Sequence, residues 1–230
     1  MDGDKQKLRF YGRRKGHKLS QGRLVLIEKR LPEVLIPLRS GETPLDPSHL
    51  FCPPVKEVWM EIGFGAGEHL AHHAMANPDV GFLGIEPFIN GIATLLSKME
   101  QRGMTNIRLL NDDVRLLLDN LTENSLSRVF IIFSDPWPKK RHHRRRLFSH
   151  DLLDKLSRQM QLGSELRFAS DNMSYVRHAL EVVIRRVDFT WEPTGSKDWR
   201  YPPSDTIETR YGAKARQAGR SSIYLNFKKV

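Results

Sequence analysis

Val55-Lys56-Glu57-Val58-Trp59-Met60-Glu61-Ile62-Gly63-Phe64-Gly65-Ala66-Gly67 is an apolar, strand-like run that breaks into glycines. Glycines at such a break let the chain turn tightly and lie against a ligand with no Cβ in the way. Glu68 to Ala76 then has helical spacing, Gly81 to Glu86 reads as a short buried strand, and Phe88 to Gln101 as a helix. The alternation continues with a strand at Ile107 to Leu110, a helix at Val114 to Leu121, and the most apolar strand, Val129 to Ser134. A helix at Phe148 to Met160, a strand at Leu166 to Ser170 and a helix at Tyr175 to Arg186 complete it. Strands and helices alternating at this spacing predict an α/β fold, a mostly parallel, doubly wound, Rossmann-like sheet with helices on both faces. Phe189 to Trp191 and Ser222 to Phe227 are expected as a hairpin-like edge, separated by a long loop, Glu192 to Ser221. Loops of that length are often functional.

Upstream of this block the texture differs. Ser20 followed by Arg23, Leu24, Val25, Leu26 and Leu31 reads as a capped short helix ending at Leu31-Pro32. Pro37, Pro44, Pro47, Pro53 and Pro54 mark a linker. The expected division is a basic N-terminal extension and linker over 1–54 and a single catalytic domain over 55–230. Cys52 is the sole cysteine, which excludes an intramolecular disulfide and thiolate zinc sites. No apolar run reaches the roughly 18 residues of a membrane span. A reducing, cytoplasmic setting with no membrane association is the expectation. The sequence leaves monomer and homodimer open.

Lys and Arg number 37 against 27 Asp and Glu, a net charge of +10, and that sign favours polyanionic partners. The excess is clustered. One group runs from Lys5, Lys7 and Arg9 to Arg23; a second is Lys139 to Arg146; a third holds Arg210, Lys214, Arg216 and Arg220.

In a doubly wound sheet, ligands sit beyond the carboxyl ends of the strands. The first such end holds Glu61, Gly63 and Gly65, in a G-x-G-x-G pattern with Glu68 where the dinucleotide fingerprint has its third glycine. A glutamate there opposes a pyrophosphate on the helix N-terminus. S-adenosyl-L-methionine, which carries a cationic sulfonium and no phosphate, fits better. Glu86 lies 23 residues after Gly63, near the roughly 20-residue offset of an acid that holds ribose hydroxyls. Asp113, or its neighbour Asp112, follows the third strand and is placed to accept from an adenine amino group. His69, His72 and His73 share one helix, but two are adjacent; they read as surface or packing histidines, and no metal is expected.

The fourth strand ends in Ser134-Asp135-Pro136-Trp137-Pro138-Lys139, which resembles the Asp/Asn-Pro-Pro-Tyr loop of methyltransferases acting on base nitrogens. Basic residues follow at once, where phosphates would be held while the loop reads the base. A nicotinamide-dependent oxidoreductase, a non-catalytic RNA-binding module, and a DNA or ribosomal RNA methyltransferase are the competing readings.

Tyr11-Gly12-Arg13-Arg14-Lys15-Gly16, Glu61-Ile62-Gly63-Phe64-Gly65, Gly84-Ile85-Glu86-Pro87, Asp135 to Lys139 with its Arg-rich continuation, Ala169-Ser170-Asp171 and Thr209-Arg210-Tyr211 together resemble the bacterial tRNA (guanine-N7)-methyltransferases. The resemblance implies a class I S-adenosylmethionine-dependent methyltransferase acting on a guanine in the variable loop of tRNA. It places cofactor contacts on Glu61, Glu86, Asp113 and Asp135, and substrate contacts on Lys139, Asp171 and the stretch Thr209, Arg210, Tyr211, Gly212. Arg141, Arg144, Arg145 and Arg146 fall in the RNA-contacting run. Gly212 stands where the family has glutamate, so guanine either binds more weakly or draws on Glu208 or Asp205. N7 has a free lone pair, so Asp135 is expected to orient the base and stabilise developing charge rather than remove a proton.

Overall fold

A computed structural model describes residues 11–38 and 43–230. Five strands lie parallel: β1 (Glu57–Ile62), β2 (Val80–Ile85), β3 (Ile107–Leu110), β4 (Leu126–Ile132) and β5 (Met160–Ser170). β7 (Ile223–Lys229) runs antiparallel to β5 and to the two-residue β6 (Phe189–Thr190). The order is β3-β2-β1-β4-β5-β7-β6. The chain therefore winds outward in one direction from β1 and in the other from β4. A crevice opens where the winding reverses, at the carboxyl ends of those two strands.

Side chains alternate across the pleat. Val58, Met60 and Ile62 of β1 join the core under α4 (Val114–Leu118), α5 (His150–Gln159) and α6 (Met173–Ile184), while Trp59 faces the opposite cluster with Phe82 and Phe130. That second face is covered by α2 (Glu68–Ala76) and α3 (Ile89–Arg102), whose Leu70, Ile92, Leu95 and Leu96 are buried. α5 presents Leu152, Leu153 and Leu156 inward, at helical spacing, and Ser149 caps it by accepting from Leu152 N.

Several segments add to or differ from the sequence reading. α1 (Gln21–Val34) continues through Pro32, although proline removes a helical hydrogen bond. Leu31 and Val34 are buried against the α3 side of the core, and that burial outweighs the break. The late strands do pair antiparallel at the edge, as expected, but β7 also lies beside β5 over six residue pairs, so β6 is outermost. The long connection carries α7 (Lys197–Arg200) and α8 (Arg210–Gln217). Lys5, Lys7 and Arg9 lie outside the described residues. Residues after α1 are tied to the sheet, with Ile36 N donating to Leu109 O at 2.8 Å. Among the described residues no helix is long and apolar enough to cross a membrane.

Candidate active site

Gly63 and Gly65 both adopt positive φ, 75° and 59°, which a side chain rarely tolerates. Gly63 N donates to Ile85 O at 2.8 Å, pinning the turn to β2. A Cβ on Gly63 would meet nothing within 4 Å, so the turn borders open space.

Glu86 follows β2 and braces this turn. Its Oε2 accepts from Gly65 N at 2.7 Å and its Oε1 from Phe88 N at 2.9 Å. Burial pushes its carboxyl up to about 7 against those two amides, and the nearby charges of Asp135 and Glu61 push the same way. Glu61 is itself buried near the end of β1, with Oε2 hydrogen-bonded to His69 Nδ1 at 2.9 Å. Three carboxylates from the ends of β1, β2 and β4 thus repel one another across the crevice. A cationic ligand relieves that repulsion.

Asp113 sits differently from the expectation of an adenine acceptor. It caps α4, accepting from Arg115 N at 3.0 Å, and takes the Arg115 guanidinium at 2.9 and 2.6 Å. Burial alone would raise its carboxyl; the Arg115 hydrogen bonds win and hold it below its ordinary value. Asp112 pairs with Arg14 at 2.9 Å. Arg14 belongs to the Tyr11 to Gly16 stretch, one of those that carry the family resemblance. Arg14 O accepts from Ile89 N at 3.0 Å, and Gly16 N and His17 O both bond the Asn90 side chain at 2.8 Å. Residues 11–17 are thereby strapped across the strand ends.

Asp135 stands at the rim, where partial desolvation of its carboxyl raises it and Arg13 opposes. Trp137 takes an unusual positive φ of 44°. Its ring lies under the Arg145 guanidinium at 5.1 Å, and Tyr11 lies 4.8 Å from the same group. Lys139, Arg141 and Arg144 are exposed, on or beside a short 3₁₀ turn, Lys140–Arg145, that the sequence reading missed. Arg146 corrects the expectation of a phosphate contact. It is buried and donates to Pro136 O, Ser174 O and Ser174 Oγ at 2.9 to 3.1 Å. Its role is to hold the Asp135 loop.

Asp171, after β5, pairs with Arg220 at 2.7 Å. Thr209 is buried and caps α8 by accepting from Gly212 N at 3.1 Å. Arg210 is exposed beside it. Tyr211, also exposed, brings its ring to 3.4 Å from the Cβ position of Gly65, joining the late loop to the glycine turn. Gly212 has room for a side chain, since a Cβ would sit 3.6 Å from Phe133. Neither suggested substitute for a glutamate there is uncommitted. Glu208 pairs with Arg216 at 2.8 Å, and Asp205 takes both oxygens to Arg167 at 2.7 and 2.9 Å.

A family model described as "Putative methyltransferase" matches residues 55–225. The tRNA (guanine-N(7)-)-methyltransferase of Rhodospirillum rubrum is 48% identical over 96% of this chain and 88% of its own length. That of Agrobacterium fabrum is 44% identical over 95% and 94%. The solved 16S rRNA methyltransferase KamB superposes with a TM-score of 0.55 at 14% identity, covering 85% of this chain and 98% of its own, which shows a shared fold. A glycine turn braced by an acid, a proline-stiffened acidic loop and near full-length identity at this level agree, and the chain belongs to the tRNA (guanine-N(7)-)-methyltransferase family.

Proposed function

We propose that this protein transfers a methyl group from S-adenosyl-L-methionine to N7 of a guanine in the variable loop of tRNA, in the cytoplasm. The observation that carries the cofactor reading is the convergence of Glu61, Glu86 and Asp135 around an open glycine turn. Three carboxylates suit a cationic ligand and oppose a pyrophosphate. Glu86 has lone pairs beyond those taken by Gly65 N and Phe88 N, and these suit ribose hydroxyls. Asp113 serves through the cap that shapes the loop after β3.

The cofactor supplies an electrophilic methyl on a sulfonium. Asp135 orients the guanine and meets the positive charge that grows on the ring, a role that requires no proton transfer from N7. Arg146 and the two prolines fix the loop carrying Asp135, so its alignment costs little on binding. Lys139, Arg141, Arg144, Arg145 and Arg210 face the polyanion, and Asp171 and the Thr209 to Gly212 turn border the base. Sequence similarity to the named relatives, rather than the site chemistry, selects tRNA.

The test is incubation of the purified protein with bulk tRNA and methyl-labelled cofactor, followed by nucleoside analysis. Label in 7-methylguanosine supports the reading. Label in another nucleoside, or none, overturns it.

A further inference from the structure

Directly beneath the glycine turn, α2 directs two histidines inward. His69 and His73, one helical turn apart, are each 2% exposed. His69 Nδ1 lies 2.9 Å from Glu61 Oε2, and His73 Nε2 lies 3.2 Å from His69 Nε2. Phe130, the register partner of Glu61 on β4, packs edge-on to His69 at 4.9 Å and stacked with His73 at 5.0 Å. Trp59 closes the far side of His73 at 5.8 Å.

A carboxylate only accepts, so His69 Nδ1 is the donor to Glu61. In the neutral ring His69 Nε2 then accepts, and His73 Nε2–H fills it. Burial and the adjacent His69 pull His73 down to about 3, so His73 stays neutral and adds no charge beside the Glu61–His69 pair. A polar chain in an apolar wall is costly unless each member is satisfied, and that cost holds the arrangement in one geometry. Glu61 Oε1 is left with no hydrogen-bond partner among the described residues, and it is not sealed from solvent.

We propose that His69, backed by His73, is a positioning residue that aims the second oxygen of Glu61 at the ammonium group of the cofactor's amino-acid tail. This rests on the cofactor reading above. The ammonium is chosen over the sulfonium because Oε1 lacks a donor. An ammonium brings three N–H donors, and a sulfonium brings none.

Calorimetry with two probes tests this. S-adenosylhomocysteine carries the amino-acid tail; 5′-methylthioadenosine has the same nucleoside and lacks it. His69→Leu is expected to weaken S-adenosylhomocysteine about tenfold or more, as the loss of an oriented charged hydrogen bond implies. Methylthioadenosine is expected to change less than about twofold. His69→Asn, whose amide reaches the Nδ1 position, should restore most of the difference. Equal weakening of both probes makes His69 merely structural and overturns the proposal, as does no weakening of either. If the wild-type protein binds neither probe, the cofactor reading itself has failed. Should His69→Leu not fold, nitrogen NMR of the wild-type imidazoles decides. The His69 Nδ1 signal should move with S-adenosylhomocysteine and stay still with methylthioadenosine, and movement with both overturns the proposal.

Discussion

Glu86 and Asp171 both follow a strand at the rim of one crevice, yet they are held in opposite ways. Glu86 is buried and fixed by two backbone amides. Asp171 is held by one guanidinium from Arg220, whose side chain is 54% exposed. Backbone amides cannot swing away, whereas an exposed ion pair contributes only about 0 to 1 kcal/mol and exchanges readily. The β1–β3 side is thus built before its ligand arrives. On the β5 side Asp171 has only an exposed guanidinium, a pair that can open and re-form. Asp205 is the exception there, since Arg167 is nearly buried and clamps the late loop to the sheet.

The largest expected effect lies where the two sides meet. Asp135→Ala should lower kcat by about 10²- to 10³-fold, the usual loss when one transition-state-stabilising group is removed. Affinity for tRNA, measured by filter binding, should stay within about threefold because phosphate contacts supply most of it. Near-normal single-turnover rates would move the orienting role to Asp171.

Glu86→Gln probes the prebuilt side. Ribose hydroxyls donate to the carboxylate, so binding favours the ionised form of a group that titrates near 7. Wild-type cofactor affinity should therefore rise from pH 6 to pH 8. Glu86→Gln should weaken the cofactor by roughly 10- to 100-fold, the equivalent of one or two charged hydrogen bonds, and should abolish that rise. Stability has the opposite slope. Between about 4.5 and about 7 the folded chain holds a proton here that the unfolded chain has lost, so stability falls as pH climbs through that window. Thermal melts of wild type and Glu86→Gln across the window check the sign.

Within the basic run the comparison sharpens to neighbouring arginines. Replacing Arg141 and Arg144 by Ala should flatten the dependence of log K for tRNA on log salt by about 1.5 and leave the melting temperature unchanged. Arg146→Ala should do the reverse, costing roughly 2 to 3 kcal/mol of stability and lowering kcat with little change in salt slope. An unchanged salt slope in the first variant would make that turn an ordinary solvated surface.

The smallest effect is expected from Arg220→Ala, below about 1 kcal/mol in denaturant melts. A large loss would show the β5 side to be as rigid as the β2 side, and the contrast would fail.

Much of this was legible in the residue order. The glycine turn after β1, the acids at the ends of β1, β2 and β4, and the basic run after Asp135 all fall where the alternation of strands and helices puts them. Arg146 was not legible, because its partner Ser174 lies 28 residues away and nothing in a row of arginines marks the one that turns inward. Asp113 carried a local sign that went unread. An acid two residues before an arginine, at the head of a short helix, is a cap as readily as a ligand. His69 and His73 had the i, i+4 spacing of one helix face, but that spacing does not tell whether the face meets water or the sheet.

By itself, then, the sequence determined the parallel sheet, the place of the crevice and the acid-lined turn, because strand period, helix period and glycine turns are local properties of neighbouring residues. Only the tertiary structure decided which charges are committed. Asp171 meets Arg220 across 49 residues and Arg167 meets Asp205 across 38. The tertiary structure also decided that α1 runs through Pro32 and that β7 enters between β5 and β6. These outcomes depend on burial and pairing between distant segments, and such gains exist only once the chain has closed on itself.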